Sequence, residues 1–265
     1  MLALTIPLVH YLHTRGLFEE RLRQAQLSIE AANQINDLKT TAYMFIASIG
    51  WIHIRRGEWE QAERNITKGV DIARQINLID AMVLGHAHLA RVALSQGEVE
   101  VAESLIVEVE NMDVPAVIEC RIHFMRGLID AKKGNWNDAE FHIRNAMNVL
   151  SRVTDHLWPA LYIALADILL SKNNLEEAEN IYRQSLAFSE RMARVTDTAD
   201  SWFGLARIYY QRGEYRKAGE YAQIALTLFQ RYRSQTEVEK TLTLIEAIRN
   251  ASPFYARWVD SLKPK

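Results

Sequence analysis

The pattern Gly-x-(large apolar)-x-x-Ala returns along the chain at a nearly fixed interval, and no other feature restricts its fold as much. It reads Gly57-Glu-Trp59-Glu-Gln-Ala62, Gly97-Glu-Val99-Glu-Val-Ala102 and Gly134-Asn-Trp136-Asn-Asp-Ala139. It continues as Asn173-Asn-Leu175-Glu-Glu-Ala178, with Asn in place of Gly, and Gly213-Glu-Tyr215-Arg-Lys-Ala218. A weaker copy, Gly16-Leu-Phe18-Glu-Glu-Arg21, opens the series. The first positions are separated by 41, 40, 37, 39 and 40 residues. A constant period of this size marks stacked units, each burying its apolar face on the next.

The residue types explain the pattern. Gly, or Asn as the next best, takes the left-handed backbone that ends one helix and turns into another. The acidic or amide residue that follows in most copies suits the first turn of the second helix. The large apolar residue plugs the gap between the helices, and the Ala lets their backbones approach. Twelve residues before each Ala stands a small residue, Gly50, Ala90, Gly127, Ala166 or Ala206. Sixteen before it stands Ile46, His86, His123, Tyr162 or Trp202. Spacings of four place these on one helical face. Each unit is therefore a pair of antiparallel helices, A then B, and neither buries its apolar stripe alone.

In order and spacing these positions resemble the tetratricopeptide repeat family. The usual repeat has 34 residues; these are about six residues longer, so the helices are expected to be extended. Long repeats of this kind resemble the sensor arrays of bacterial signal-transduction (STAND-type) NTPase regulators, peptide-sensing quorum regulators and eukaryotic adaptors. The fold class expected is all-α, a right-handed superhelical solenoid of about six hairpins plus a C-terminal capping helix. Residues 1–265 read as one array: 1–36 a partial first repeat, 37–233 five complete repeats, 234–265 a capping helix and tail. Leu4, Leu8 and Leu12 give the first segment an apolar face without charge before Arg15, a poor solvent-facing cap. It reads either as the interior of a longer protein or as a self-association surface.

Composition excludes several functions. The formal net charge of -2 opposes a dedicated nucleic-acid binder. Arg231 to Lys265 carries seven basic and four acidic residues, too mild an excess for a nucleic-acid site. The longest apolar stretch, Leu157 to Leu170, is too short and, with Asp167, too polar to cross a bilayer. One cysteine, Cys120, permits no internal disulfide and fits a cytoplasmic location. No catalytic signature is present, so no enzyme and no cofactor are expected. His86 and His88, two apart on a helix, point to different faces and cannot share a metal. His10 and His13 lack acidic co-ligands. His86 and His123 fall at the bulky position and read as buried, hydrogen-bonded side chains, and Cys120 as a packed helix residue. Trp59, Trp136, Tyr215 and Phe18 read as turn plugs, and Trp202 and Tyr162 as core.

Function is left to the concave groove that the resemblance implies along the A helices. Carried over position by position, the groove holds Trp51 and Arg55, then Arg91, then Arg121, Phe124 and Lys132. It continues with Asp167, and finally Asp200, Phe203 and Arg207. Five basic residues against two acidic give +3 within a chain of -2. An apolar floor with arginines suits a peptide, a protein segment or a small anionic or polar-aromatic ligand. The alternative is that these arginines pair with acids on neighbouring helices. A chaperone-type carboxylate clamp is excluded, because Ala47, Trp51, Ala87 and Phe124 stand where the family's Lys/Asn clamp would be. The reading is a non-enzymatic binding module of a larger bacterial regulator. The rival is a stand-alone scaffold that docks partners through its apolar ends.

Overall fold

The computed structural model describes residues 11, 12, 15–151, 157–253 and 256, and the regular structure among them is helical. The elements are α1 (Phe18–Gln34), then a long helix made of α2 (Leu38–Tyr43), a π-helical segment (Met44–Gly50) and α3 (Trp51–Arg56). There follow α4 (Trp59–Gln75), α5 (Ile79–Gln96), α6 (Val99–Val107), α7 (Ala116–Lys133) and α8 (Trp136–Leu150). The last five are α9 (Trp158–Ser171), α10 (Leu175–Arg191), α11 (Val195–Gln211), α12 (Tyr215–Arg231) and α13 (Gln235–Ala251). The repeats thus form A/B hairpins, with α13 as the further A-type helix. Leu4, Leu8, His10, His13 and the stretch after Ala256 lie outside the described residues.

Each A helix ends where the pattern places its Gly or Asn. Gly57, Gly97, Gly134 and Gly213 have φ of 76°, 86°, 82° and 76°, and Asn173 matches them at 60°. The reversed chain then closes the helix: Glu58 N–H donates to the His53 carbonyl at 2.9 Å, as Asn174 does to Leu169. This is the hydrogen-bonded C-terminal turn that a left-handed residue permits. A second series appears at the turns leaving B helices, where Asn36, Asn77, Ala193 and Arg233 have φ between 51° and 60°.

Helices α4, α10 and α12 each run 17 residues and α5 and α7 run 18, which accounts for the long repeat. The exception is α6, only 9 residues long, and it falls in the one shortened interval of 37. The alanines of the pattern, Ala62, Ala102, Ala139, Ala178 and Ala218, are all fully buried. Ile46, Ala62, Ile66, Val70, Ala81 and Leu84 form one core where α4 meets the A helices on either side. Ala206, Tyr209, Ala218, Ala222 and Ile248 do the same for α11, α12 and α13. Burial of this kind stabilises by about 25 cal/mol per Å² of apolar surface, and here each share depends on the next hairpin.

The chain divides into two compact units, Met1–Leu161 and Tyr162–Lys265. The first holds Trp51, Arg55, Arg91, Arg121, Phe124 and Lys132; the second holds Asp167, Asp200, Phe203 and Arg207.

Candidate functional site

In the first unit one expected groove residue, Trp51, meets a side chain that the repeat pattern does not anticipate. Arg21 stands in the slot that five other copies fill with a buried Ala, and it is itself only 3% exposed. Its guanidinium donates to the carbonyl of Ala47 in the π-helical segment. Its Cζ lies 4.9 Å from the centre of the Trp51 ring, within cation–π range. Phe18 meets the same indole edge-on, with ring centres 5.5 Å apart. Trp51 is therefore half-buried under Arg21 and Phe18, rather than an open floor.

Helix α5 packs between the π-helical segment and α7. His88 and Arg91, three residues apart, share a face of α5. His88 feels Arg121 of α7, Arg91 and Arg21 of α1. Burial first, then the three guanidiniums in that order, push its imidazole down to about 3. It is neutral at physiological pH. Burial also lowers the Arg21 guanidinium, to about 9. The Nε of Arg121 is buried with no hydrogen-bond partner among the described residues. Arg55 is half-buried one turn beyond Trp51, and Lys132 is exposed at the end of α7. Phe124 is 7% exposed and offers little surface of its own.

The second unit resolves its charges differently. Arg207 donates to the carboxylate of Asp167, and the fully buried Tyr182 donates its hydroxyl to the same Oδ1 at 2.7 Å. The Arg207 Cζ lies 5.9 Å from the Phe203 ring centre. Burial would lower the Arg207 guanidinium, but the charges of Asp167 and Tyr182 more than offset this and hold it above its ordinary value. Burial and the Asp167 charge push the Tyr182 hydroxyl well up. Here the alternative reading of the arginines is realised: three expected site residues, Asp167, Phe203 and Arg207, form an internal cluster.

The remaining candidates settle into packing. His86 is 2% exposed; its Nδ1 lies 2.7 Å from the Met82 carbonyl and its Nε2 3.3 Å from Glu108. His123 differs from expectation in being half-buried, and it stacks on His142 with ring centres 5.9 Å apart. Cys120 is buried and its thiol donates to the Val117 carbonyl at 3.1 Å. Among the described residues no three His, Cys, Asp or Glu side chains lie close enough to hold a metal ion. No described helix is long and apolar enough to cross a membrane. Sequence reasoning missed Arg21 and His88. The signal for Arg21 was its departure from the repeat's Ala; for His88 it was the three-residue spacing to Arg91.

Tetratricopeptide repeat family models match residues 119–191 and 201–230. The chain is similar to the transcription activator GutR of Bacillus subtilis (strain 168), 26% identical over 211 residues. That match covers 78% of this chain and 25% of GutR, so the chain spans about a quarter of this relative's length. Among solved structures, BtubC (BKLC) from P. vanneervenii superposes with a TM-score of 0.58 at 18% identity, covering 77% of this chain and 88% of that one. A Rap protein complexed with Competence and Sporulation Factor gives 0.53 at 13% identity, covering 92% and 75%. These likenesses show the fold, a tetratricopeptide-type helical solenoid. The comparisons indicate no catalytic family, and the repeat fold is one suited to holding protein or peptide partners.

Proposed function

We propose that the chain is the sensor or interaction region of a larger cytoplasmic bacterial regulator, of the signal-transduction NTPase kind. It binds a peptide, a protein segment or a small ligand on the A-helix face of its first unit. The observation that carries this reading is the buried Arg21, seated on the Trp51 ring and acting, with Arg91 and Arg121, on His88. A purely structural array has no use for it, since the other repeats fill the Arg21 slot with Ala. The 26% identity to a transcription activator roughly three times as long supports a regulatory setting. The Rap neighbour, solved with a bound factor, supports ligand binding on this fold. In a regulator, occupancy shifts an equilibrium between resting and active forms only if the two differ in affinity for the ligand.

Selecting the whole chain against a random peptide library, followed by amide hydrogen exchange, tests the proposal. Selected ligands are expected to protect α3, α5 and α7. Protection confined to the B helices, or no selected ligand at all, would overturn it.

A further inference from the structure

We propose that Arg21 is a positioning residue for the binding face: it holds the π-helical segment that brings Tyr43 onto the same side of the helix as Trp51. The inference rests on the binding-module reading. It adds to that site one contact residue, Tyr43, and the device that places it.

The turn residues measure a surplus in this helix. The B segments bounded at both ends by a left-handed residue all take 20 steps: Gly16 to Asn36, Gly57 to Asn77, Asn173 to Ala193 and Gly213 to Arg233. The A segments from Asn77 to Gly97 and from Ala193 to Gly213 also take 20, but the one from Asn36 to Gly57 takes 21. The interval of 41 between Gly16 and Gly57 is therefore a single residue inserted in an A helix. It is absorbed at Met44–Gly50, the π-helical segment. Hydrogen bonds from i to i+5 take an extra residue into a turn without breaking the helix.

The insertion decides which residues share a face. Seven residues make close to two α-helical turns, and the expected groove residues Asp200 and Arg207 stand seven apart. Tyr43 and Trp51 stand eight apart. In an unbroken α-helix that spacing would leave them about 80° out of line. Counted from the preceding turn, Tyr43 holds the place of Asp200, seven residues after Asn36 as Asp200 is after Ala193. Burial agrees with this register, since Ala42, Val83 and Ala199, each six after its turn residue, are all fully buried. Counting back from Ala62 would instead assign that place to Met44, which is buried. Tyr43 is half-buried, and its ring packs against the core shared with α5 and the core shared with α1.

Arg21 meets the segment at its middle. An insertion shifts the helical hydrogen-bond ladder, and a donor from outside stabilises the shifted form. The Arg21 guanidinium supplies one to the Ala47 carbonyl, and its Cζ lies 4.9 Å from the centre of the Trp51 ring. One side chain thus touches both the insertion and the groove residue that follows it. Among the described residues, the one π-helical segment stands beside the one arginine in the repeat's alanine slot.

Amide hydrogen exchange on the free chain and titration with a peptide selected on the wild type test the proposal. Arg21→Ala should speed exchange across Met44–Gly50 and weaken the peptide, each by at least about tenfold, while α10 and α11 exchange as before. A second variant combines Arg21→Ala with deletion of Ala47. It returns the A segment to the length of its neighbours and realigns Tyr43 with Trp51 without any clasp, so affinity should return close to that of the wild type. Affinity that stays low while this helix is protected from exchange would mean that Arg21 touches the ligand itself, and the positioning role would fall. The wild type supplies a check that needs no variant to fold: the peptide should shift the Tyr43 and Trp51 ring signals together in NMR. A peptide that moves Trp51 and leaves Tyr43 unmoved would refute the shared face. The exchange measurement needs no ligand, so unchanged exchange in Arg21→Ala would refute the clasp by itself. Failure to select any peptide would remove the binding-module reading instead.

Discussion

The two units build the same hairpins and treat charge in opposite ways. In the second, Asp167 receives both the Arg207 guanidinium and the Tyr182 hydroxyl, so the charged group on the A helix is consumed by the structure. In the first, Arg21 lies buried in a slot where the repeat needs only a methyl group, held by the Ala47 carbonyl and the Trp51 ring. Position within the repeat does not decide how an arginine is held: α9 brings Asp167 to Arg207, whereas Arg21 sits on a carbonyl and an indole.

This contrast can be attacked from several sides. The largest effect expected is on acid stability. The folded chain holds His88 at about 3, whereas the unfolded chain has it near 6.5. Between those values the unfolded state binds the extra proton, so stability falls as pH drops through that window. Allowing for partial exposure, denaturant unfolding at pH 7 and pH 4 should show the wild type losing roughly 1–3 kcal/mol more than His88→Gln. Equal losses would mean that the cluster does not control this histidine.

Substituting Gly204→Ala in the second unit probes how tightly Tyr182 is set. A Cβ there would overlap the Tyr182 ring, and overpacking of this kind costs about 1–3 kcal/mol. Asp167→Ala removes the acceptor shared by Tyr182 and Arg207 and should cost about 1–2 kcal/mol in thermal or denaturant unfolding, since the pair is partly exposed. The corresponding change in the first unit, Arg91→Ala with Arg121→Ala, should stay within about 0.5 kcal/mol, because relieving like charges offsets the lost packing. A double variant as destabilised as Asp167→Ala would erase the distinction between the units. The smallest change, Ala193→Gly, should stabilise by about 0.5–1 kcal/mol, because Ala193 holds a φ of 54° that glycine adopts without strain.

The fold was largely legible because the repeat states its own turn chemistry. Gly57, Gly97, Gly134 and Gly213 all adopt the left-handed backbone, and Asn173 replaces Gly without changing it. The buried Ala of each copy was equally plain. The turns after the B helices were not legible: Asn36 and Asn77 hint at them, but Ala193 and Arg233 carry no local signature, and packing of the flanking helices imposes their conformation. The short α6 left only a trace, in the interval of 37 residues. The site was legible by half. Counting A-helix positions found the cations, but it treated Asp167 and Arg207 as independent groove residues. Pairing between adjacent A helices depends on side-chain reach across 40 positions of sequence, which a list of positions does not contain. Arg21 was hidden for a different reason, since a mismatch in the first copy reads as decay of the repeat until its guanidinium is seen over Trp51.

The central claim is that ligand binding belongs to the charges of the first unit and not to those of the second. Isothermal titration of the whole chain with a selected peptide tests it most directly, comparing wild type, Arg91→Ala with Arg121→Ala, and Arg207→Ala. The account predicts at least about tenfold weaker binding for the first variant and unchanged affinity for the second. Affinity lost in Arg207→Ala and retained in the double variant would contradict it.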